Sequence, residues 1–161
     1  MSIQSDLTRT FNRAIESALN EMETIGREWT SYNARAVANW SGKPGFVYRV
    51  VASRRLVYDL EIEPTGDNAN KWIWTDRGTE PHKIRARNVA NLVFRTGHNP
   101  KTRAIARFGV GDGSSSGRLV KKREVDHPGT EARKFTETYA SDNEQQIRQR
   151  IAARISRELM R

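Results

Sequence analysis

The amino-acid sequence predicts an α+β fold, in which a long N-terminal helix and a C-terminal helix pack on a mostly antiparallel β-sheet with a long mobile loop. Three observations lead to this prediction. Apolar residues recur at steps of three or four near both ends of the chain, which is the helical period. Apolar and polar residues alternate between residues 46 and 62, which is the strand period. A stretch rich in Gly and Ser interrupts the later strands.

The chain has the length of one compact domain. Its 161 residues can bury a core without disulfides or metals, so we expect a single domain over residues 1–161. The absence of Cys excludes disulfides, zinc sites built from thiolates and Cys nucleophiles. The sequence shows neither a basic start followed by an apolar run nor an apolar stretch of about 18 residues. We therefore expect a soluble protein that is not exported.

The N-terminal helix is predicted within residues 1–40. Its apolar stripe occupies Leu7, Phe11, Ala14, Ala18, Met22, Ile25, Trp29, Tyr32 and Ala36. Ser5 or Asp6 can cap its start, and Gly26 predicts a bend or a break. A helix that runs to about Val37 is roughly 45 to 50 Å long at 1.5 Å per residue, which is more than a small domain needs. Either another subunit covers part of the stripe, or the helix lies across its own sheet.

The sheet is predicted within residues 45–140. The segment SGKPG at residues 41–45 ends the helix, because Pro and Gly cannot continue it. A half-buried hairpin follows, with its turn at ASRR (residues 52–55). Its inward positions are Phe46, Tyr48, Val50, Tyr58, Leu60 and Ile62. The composition of PTGDNAN (residues 64–70) then predicts a loop.

Three further strands are expected after this loop. Two are short, KWIWTD at residues 71–76 and NLVFR at residues 91–95. The third is RLVKKREVDH at residues 118–127, with Leu119 and Val125 as the inward positions.

A mobile loop and a helix complete the predicted elements. Residues 95–117 are rich in Gly, Ser, Pro and Asn, which is typical of a long mobile loop or arm. Within them, GVGDGSSSG (residues 109–117) lacks the Gly-Lys-Ser/Thr ending of a phosphate-binding loop. The C-terminal helix is predicted over residues 142–161 from the four-residue spacing of Ile147, Ile151, Ile155 and Leu159.

The chain is strongly basic, with 28 Lys and Arg against 19 Asp and Glu and a formal net charge of +9. We expect it to associate with an anionic partner, either nucleic acid or an acidic protein surface. The arginines of the last helix predict a salt-sensitive contact with a nucleic-acid backbone, or else a solvated face interleaved with Glu and Gln. The candidate contacts to DNA or to an acidic partner are Arg148, Arg150, Arg154, Arg157, Lys83, Arg85 and Arg87.

Two similar motifs mark the middle of the chain, WTDRGTEPHKI at residues 74–84 and DHPGTEARKF at residues 126–135. In the first, Gly78 allows a backbone with positive φ and Pro81 fixes its own φ, which predicts a rigid corner between strands. Residues 128–129 do the same in the second motif. Rigid corners with polar side chains serve either as docking surfaces or as structural turns.

The polar residues of these motifs raise the hypothesis of an active site. Asp76 and His82 resemble a catalytic base with an orienting carboxylate, but no Ser, Thr or Lys neighbour is placed as a nucleophile. The three histidines, His82, His98 and His127, lack the i, i+4 spacing of a helical metal site. We therefore expect no enzymatic activity, no metal and no cofactor. The near-identical settings of His82 and His127 suggest that they meet across the sheet.

The two motifs also follow one another in an ordered pattern. It reads Asp/Glu-x-Gly-Thr-x-Pro-His-x-Ile, then an apolar Leu-x-Phe strand, a variable Gly-rich loop, and Val-x-His-Pro-Gly-Thr-x-Ala-x-x-Phe. The matching residues are Asp76, Gly78, Thr79, Pro81, His82, Ile84, Leu92, Phe94, Val125, His127, Pro128, Gly129, Thr130, Ala132 and Phe135. Over residues 72–136 the chain resembles a tail-component family of long-tailed bacteriophages, the tail-completion or head-to-tail joining proteins of the neck. Lys134 departs from the family pattern, which has Pro there.

The resemblance implies a non-enzymatic structural protein of the virion. Such a protein is assembled in the host cytoplasm, completes the tail and joins it to the head connector as a homo-oligomeric ring. The implied partners are the tail tube or terminator and the head connector, with non-specific contact to the packaged DNA. The motif corners then shape the sheet, while the long first helix and the 95–117 arm make subunit contacts.

Overall fold

A computed structural model describes residues 3–97, 102–103, 109–110 and 116–161, and its elements confirm the α+β class. The helices are α1 (Ile3–Ala36), α2 (Ala69–Arg77) and α3 (Phe135–Leu159). The strands are β1 (Gly45–Arg54), β2 (Val57–Thr65), β3 (His82–Arg85), β4 (Leu92–Arg95), β5 (Thr102–Arg103), β6 (Gly109–Val110), β7 (Leu119–Lys122) and β8 (Glu124–His127). No helix in the described part of the chain combines the length and the hydropathy that crossing a membrane requires.

The described strands do not form the single sheet that the alternation predicts. They pair as four two-stranded sheets, β1 with β2, β3 with β8, β4 with β7, and β5 with β6. The predicted single strand over RLVKKREVDH is also wrong, because Arg123 separates β7 from β8 and the two strands have different partners. At this break the carbonyl of Arg123 accepts a hydrogen bond from the Ala86 N–H at 3.0 Å. The chain therefore pairs with β4 before Arg123 and with β3 after it, whereas one continuous strand would keep a single partner.

The chain forms two compact units, each built from segments that are distant in sequence. The first unit contains Met1–Asn33, Phe46–Glu63 and Glu137–Arg161. The second unit contains Ala34–Gly45 and Pro64–Thr136. Each unit has buried apolar side chains of its own. The organisation as one domain over residues 1–161 stays a prediction.

The core of the first unit is formed by one face of α1 together with α3 and the β1–β2 hairpin. Ala14 and Ile25 of α1 are buried. The ring of Tyr139, also buried, stacks on Trp29 with centroids 4.9 Å apart and lies 4.7 Å from the ring of Tyr32. Along both strands of the hairpin, half-buried residues alternate with exposed ones as predicted. The periodicity of the sequence therefore identified these three elements correctly.

Helix α1 continues through Gly26, so the predicted break is wrong. Glycine is needed at position 26 for the close packing of the helix and not for a break in it. A Cβ atom built on Gly26 would lie 2.6 Å from Cγ and 3.1 Å from Cβ of Tyr48. Glycine at this position lets strand β1 approach the helix closely, because any larger residue would collide with the root of the tyrosine side chain.

We expect Gly26→Ala to destabilise the protein by about 1 to 3 kcal/mol through overpacking against Tyr48. Helix propensity alone gives the opposite sign, because Ala is favoured over Gly in a helix interior by about 1 kcal/mol. The free energy of unfolding, measured by chemical denaturation, decides between them. The matched control is the same substitution in a Tyr48→Ala background, where the collision is absent and Gly26→Ala becomes stabilising. A stabilising effect in the wild-type background would contradict the close approach.

The turn of the hairpin lies later than ASRR. Strand β1 runs to Arg54 and β2 begins at Val57, so that Arg55 and Leu56 form the turn. Leu56 has φ = 61°, a left-handed conformation that is uncommon for a residue with a Cβ atom. Its side chain is 53% exposed. A leucine gave no sequence signal for this conformation, because such positions usually hold Gly, Asn or Asp.

KWIWTD is helical, so its assignment as a strand is wrong. In α2, Trp72 is buried whereas Trp74 is 54% exposed. Two residues apart, the indoles point in different directions on a helix, whereas on a strand they would share one face. The ring of Trp72 stacks on that of Phe135 with centroids 4.8 Å apart and lies 6.5 Å from the ring of Trp40. This cluster is the core of the second unit. The N–H of Ala69 donates to the Gly66 carbonyl at 3.0 Å, which starts the helix inside the predicted loop.

The structure describes the base of the predicted 95–117 arm and, within the arm, the short β5–β6 pair, in which Thr102 lies opposite Val110. Residues 98–101, 104–108 and 111–115, and with them His98, lie outside the described residues, so the mobile arm stays a prediction. At its base, the Thr96 N–H donates to the Arg118 carbonyl at 3.1 Å, and the Gly117 N–H donates to the Thr96 carbonyl at 2.8 Å. These hydrogen bonds extend the β4–β7 ladder by one step and close the two ends of the arm.

Candidate functional site

The two resembling motifs join into one structure in the second unit. Strand β3 of the first motif pairs with β8 of the second in antiparallel register, with His82 opposite His127 and Ile84 opposite Val125. We call this joined structure the motif junction, formed by residues 76–85 and 124–136. Two segments about fifty residues apart in sequence are therefore one structural feature.

Backbone hydrogen bonds extend the motif junction beyond the strands. Thr79 and Thr130 form an isolated antiparallel bridge, in which the Thr79 N–H donates to the Thr130 carbonyl at 2.9 Å. The N–H of Thr130 donates to the Thr79 carbonyl at 3.1 Å and to its Oγ1 at 2.9 Å. Pro81 and Pro128 lie between these bridges and the strands, where neither needs to donate. The motif threonines thus act through backbone pairing.

Both motif glycines are required by the close approach of the two segments. Gly78 has φ = 79° and ψ = 177°, a conformation that is nearly exclusive to glycine. A Cβ atom on Gly78 would lie 2.7 Å from the Thr130 carbonyl oxygen. Gly129 has φ = 89°, and a Cβ atom there would collide with the Thr79 carbonyl oxygen. The corner at Gly78 ends helix α2 and leads to β3, so the prediction of a corner between two strands is wrong in its first element.

His82 and His127 meet across the β3–β8 pair, with ring centroids 5.0 Å apart. The Nδ1 of His82 lies 2.9 Å from the Glu80 carbonyl, which can only accept, so this nitrogen carries the proton. The Nδ1 of His127 accepts from the Gly129 N–H at 3.1 Å, which leaves the proton of the neutral ring on Nε2. Each imidazole therefore satisfies a backbone group of its own corner.

Asp76 caps the start of α3. Its Oδ1 accepts from the Thr136 N–H at 3.1 Å, and its Oδ2 accepts from the Thr136 hydroxyl at 2.9 Å. Helix α3 consequently begins at Phe135, seven residues before the predicted start at Asp142. The proposed catalytic pair finds separate partners, since Asp76 bonds to Thr136 and His82 to the Glu80 carbonyl.

Replacing Asp76 with Ala should cost about 1 to 2 kcal/mol of stability, because the first turn of α3 loses the acceptor of its N–H group. Asp76→Asn keeps one acceptor oxygen and should lose less. The free energy of unfolding for the two variants measures this difference. Asp67→Ala, at an exposed position of the same unit, is the matched control with no expected effect. Equal stability of Asp76→Ala and wild type would contradict the capping role.

Lys134, one position at which the chain departs from the pattern that it resembles, has an unusual backbone. Lys134 has φ = 55°, and its N–H donates to the Asp76 carbonyl at 2.9 Å. A proline can do neither, because its ring holds φ near −65° and it has no N–H. The neighbouring Arg133 N–H donates to the Thr75 carbonyl at 2.9 Å. The segment before α3 therefore follows a path that a Pro at position 134 would prevent.

An exposed ion-pair cluster lies on the β3–β8 pair. Glu124 accepts from the Lys83 Nζ at 3.0 Å and from the Arg85 Nε, and Lys83 also lies 3.5 Å from Asp126. Hydrogen bonds from Lys83 and then Arg85 lower the pKa of the Glu124 carboxyl. The hydrogen bond to Glu124 raises the pKa of the Lys83 ammonium in turn. Two predicted DNA contacts, Lys83 and Arg85, are thus already paired with carboxylates.

The arginines of α3 are also engaged. In the first unit, Glu21 is only 5% exposed and accepts from the Nε of Arg150 and the Nε of Arg154, both at 2.7 Å. Arg150 also donates to both carboxylate oxygens of Glu28, at 2.6 and 3.0 Å, and Arg148 pairs with Glu144. Burial alone raises the pKa of Glu21, but the hydrogen bonds from Arg154 and Arg150 outweigh it and lower that pKa overall.

Of the seven predicted cationic contacts, Arg87 and Arg157 form no ion pair with a described residue. The net charge is also divided unequally between the units. The first unit has 11 Lys and Arg against 12 Asp and Glu, whereas the second has 17 against 7. The basic character of the chain therefore belongs to the second unit and not to the C-terminal helix.

Each unit carries an open apolar cavity. The cavity of the first unit measures about 400 Å³ and lies between α1, the hairpin and α3. Its lining residues are Phe11, Ala14, Ile15, Ala18, Leu19, Met22, Leu56, Tyr58, Ile151, Ile155 and Leu159. The cavity of the second unit measures about 770 Å³ and is lined by Ile84, Leu92, Val93, Phe94, Arg95, Leu119, Val125 and His127. Val125 is half-buried as predicted, but Leu119 is 53% exposed and Val120 takes the inward position.

The described residues contain no group of three or more His, Asp or Glu side chains that could hold a metal ion. The His82–His127 pair supplies only two imidazoles, and both Nδ1 atoms already bond to the backbone. The polar side chains of the motif junction therefore bind the protein's own backbone and one another.

Two functional groups were missed from sequence. Glu21 lies three residues after Ala18 and four before Ile25, so a carboxylate on the apolar stripe was the available signal for a buried ion pair. Thr136 gave no signal, because its partner Asp76 is sixty residues away.

The chain matches no protein-family model, no curated protein and no solved structure.

Proposed function

We propose that the chain is a non-enzymatic structural protein of the virion, which completes the tail of a long-tailed bacteriophage and joins it to the head connector. The observation that carries the proposal is the motif junction. The residues that resemble the family pattern are far apart in sequence, yet they pair with one another in register. Residues whose shared role is backbone pairing are typical of a structural scaffold.

The polar chemistry of the motif junction supports a structural role. Asp76 caps a helix, both imidazoles bond to backbone groups, and Thr79 and Thr130 form a bridge. A catalytic base is instead expected to face the substrate, within hydrogen-bond reach of the proton that it accepts. Here these groups stabilise the corners that set the positions of β3 and β8.

The exposed apolar surfaces support assembly with other proteins. Three residues that line the cavity of the first unit are strongly exposed, Phe11 at 49%, Leu56 at 53% and Leu159 at 54%. Exposed apolar residues grouped around an open cavity are typical of protein–protein interfaces. In the neck, these apolar residues would be covered by neighbouring subunits of the ring. The tail tube or terminator and the head connector would cover others.

The proposal is tested with tails purified from the phage that encodes the chain. Light scattering gives the mass of the purified protein alone and with tails, at low and at high salt. We expect a ring, or a monomer that binds tail ends in a fixed stoichiometry. Tails that already carry their complete neck are the control, because their binding site is occupied. A monomer that ignores bare tails, and that is not needed to join them to heads, would contradict the proposal.

The competing function is a basic nucleic-acid-binding module. The charge of the second unit, 17 cations against 7 anions, favours contact there and not along α3, where Arg148, Arg150 and Arg154 are paired with carboxylates. Such binding is electrostatic, so its affinity should fall steeply as salt increases. Duplex DNA that fails to bind at low salt removes this candidate.

A further inference from the structure

The outward face of the β1–β2 hairpin in the first unit is acidic. Side chains of a strand alternate between its two faces, so Asp59, Glu61 and Glu63 share the face opposite to the half-buried residues. Arg49 of β1 lies on the same face, because it forms ion pairs with Glu61 and Glu63. Three carboxylates against one guanidinium leave this face negative. We call it the acidic hairpin face.

The same face also exposes apolar side chains. Val47 and Val51 lie two positions from Arg49 along β1, and Val57 lies two positions from Asp59 along β2, so that all three valines lie on this face. Their exposed fractions are 43%, 38% and 46%. Three exposed valines among the carboxylates make this face amphipathic, which is typical of an interface and unusual for a fully solvated sheet.

The β4–β7 pair in the second unit has an outward face of opposite charge. In its antiparallel register Val93 lies opposite Lys121 and Arg95 lies opposite Leu119, so these four side chains share one face. Val93 is 56% exposed and Leu119 is 53% exposed. Neither Arg95 nor Lys121 forms an ion pair with a described residue. We call this the basic strand face.

We propose that the acidic hairpin face of one copy binds the basic strand face of the next copy. The two faces are complementary. Each has exposed valine or leucine side chains among charged ones, and the net charges of the two faces have opposite sign. Contact would desolvate the apolar side chains and bring Arg95 and Lys121 to the carboxylates of Asp59, Glu61 and Glu63. The partner is therefore a second copy of this chain.

This contact is heterologous, because the two faces belong to different parts of the chain. Two acidic hairpin faces would repel one another, and so would two basic strand faces, which disfavours a two-fold dimer through either. A heterologous contact repeats from copy to copy and generates a ring when the rotation closes. The inference rests on the proposed function for the ring, and it identifies the surfaces that neighbours use.

The test reverses the charge of each face separately. One variant carries Glu61→Lys and Glu63→Lys, and the other carries Arg95→Glu and Lys121→Glu. Self-association is followed by sedimentation velocity up to the solubility limit, with circular dichroism to establish folding. Each variant alone should associate at least about a hundredfold more weakly than wild type, because like charges then face each other. An equimolar mixture of the two variants should associate again, because each reversed face then meets an opposite charge.

Matched controls reverse charges away from these faces. Glu16→Lys with Glu23→Lys changes exposed residues of α1, and Lys71→Glu with Arg87→Glu changes exposed residues of the second unit. Both controls should associate like wild type. Wild type that stays monomeric at every concentration, variants that associate like wild type, or a mixture of folded variants that stays monomeric would each overturn the proposal.

The same variants separate this inference from the proposed function. If a face-reversed chain forms rings and joins tails like wild type, the interface is wrong and the neck function stands. If wild type associates through these faces but neither binds tails nor supports joining, the interface stands and the neck function is wrong.

Discussion

Gly129→Ala is expected to destabilise the second unit by about 3 kcal/mol or more, through backbone strain and collision together. Gly129 has φ = 89°, which is unfavourable for any residue with a Cβ atom. The added Cβ would collide with the Thr79 carbonyl oxygen and lie 3.0 Å from the carbonyl carbon of Glu80. Both are backbone atoms, so no side-chain rotation relieves the collision. The motif junction would have to separate at the Thr79–Thr130 bridge.

Gly66→Ala is the matched control for Gly129→Ala. Gly66 has φ = 81°, but a Cβ atom there meets nothing within 4 Å. Its cost should be limited to the strain of positive φ, about 1 to 2 kcal/mol. Chemical denaturation of both variants isolates the collision as the difference between their free energies of unfolding. Equal losses of stability would mean that Thr79 and Gly129 do not approach one another as described.

Glu21→Gln is expected to destabilise the first unit by about 2 kcal/mol, because Arg154 loses its carboxylate partner and Arg150 keeps only Glu28. Glu21 is 5% exposed, and the side chain of Arg150 is 27% exposed. A neutral amide offers a single acceptor to two guanidinium groups. Glu23→Gln is the matched control, since its ion pair with Arg27 is exposed and 3.9 Å long, and it should cost less than about 0.5 kcal/mol. Thermal and chemical unfolding of the two variants measure the contrast.

The contribution of Glu21 should also depend on pH with a definite sign. Its pKa is lower in the folded protein than in the unfolded chain, so folding favours the charged form. The stabilisation is present above the unfolded pKa of about 4.3 and is lost as pH falls through the lower folded pKa. The difference in unfolding free energy between wild type and Glu21→Gln should therefore shrink in acid. A difference that grows below the unfolded pKa would contradict the ion-pair assignment.

Sequence periodicity identified the elements whose buried face repeats at a regular spacing within the element itself. Helix α1 and the β1–β2 hairpin follow from regular spacing, and α1 ends at Ala36, one residue before the predicted end. Helix α2 was misread because Trp72 and Trp74 alternate like strand residues, although only Trp72 is buried. Nine residues are too few for a helical period to be distinguished from such an alternation.

The candidate site was only partly predictable for a related reason. The roles of the corner glycines and prolines follow from local conformational rules, whereas the similarity of the two motifs only suggested the meeting of His82 with His127. The cap from Asp76 to Thr136 joins residues sixty positions apart, and no local pattern encodes it. The early start of α3 depends on that cap, so the helix boundary was missed together with its cause.

The closed base of the 95–117 arm has a consequence for engineering the protein. The hydrogen bonds at Thr96, Gly117 and Arg118, together with the β4–β7 register, hold the two ends of the arm side by side. The entropy of closing such a loop changes only slowly with its length. The two hydrogen-bonded ends at Thr96 and Gly117 are therefore suitable points between which to graft a fluorescent label or an affinity peptide, or to insert a short Gly-containing turn. A chain labelled at this position would allow the proposed binding to tails to be followed in real time.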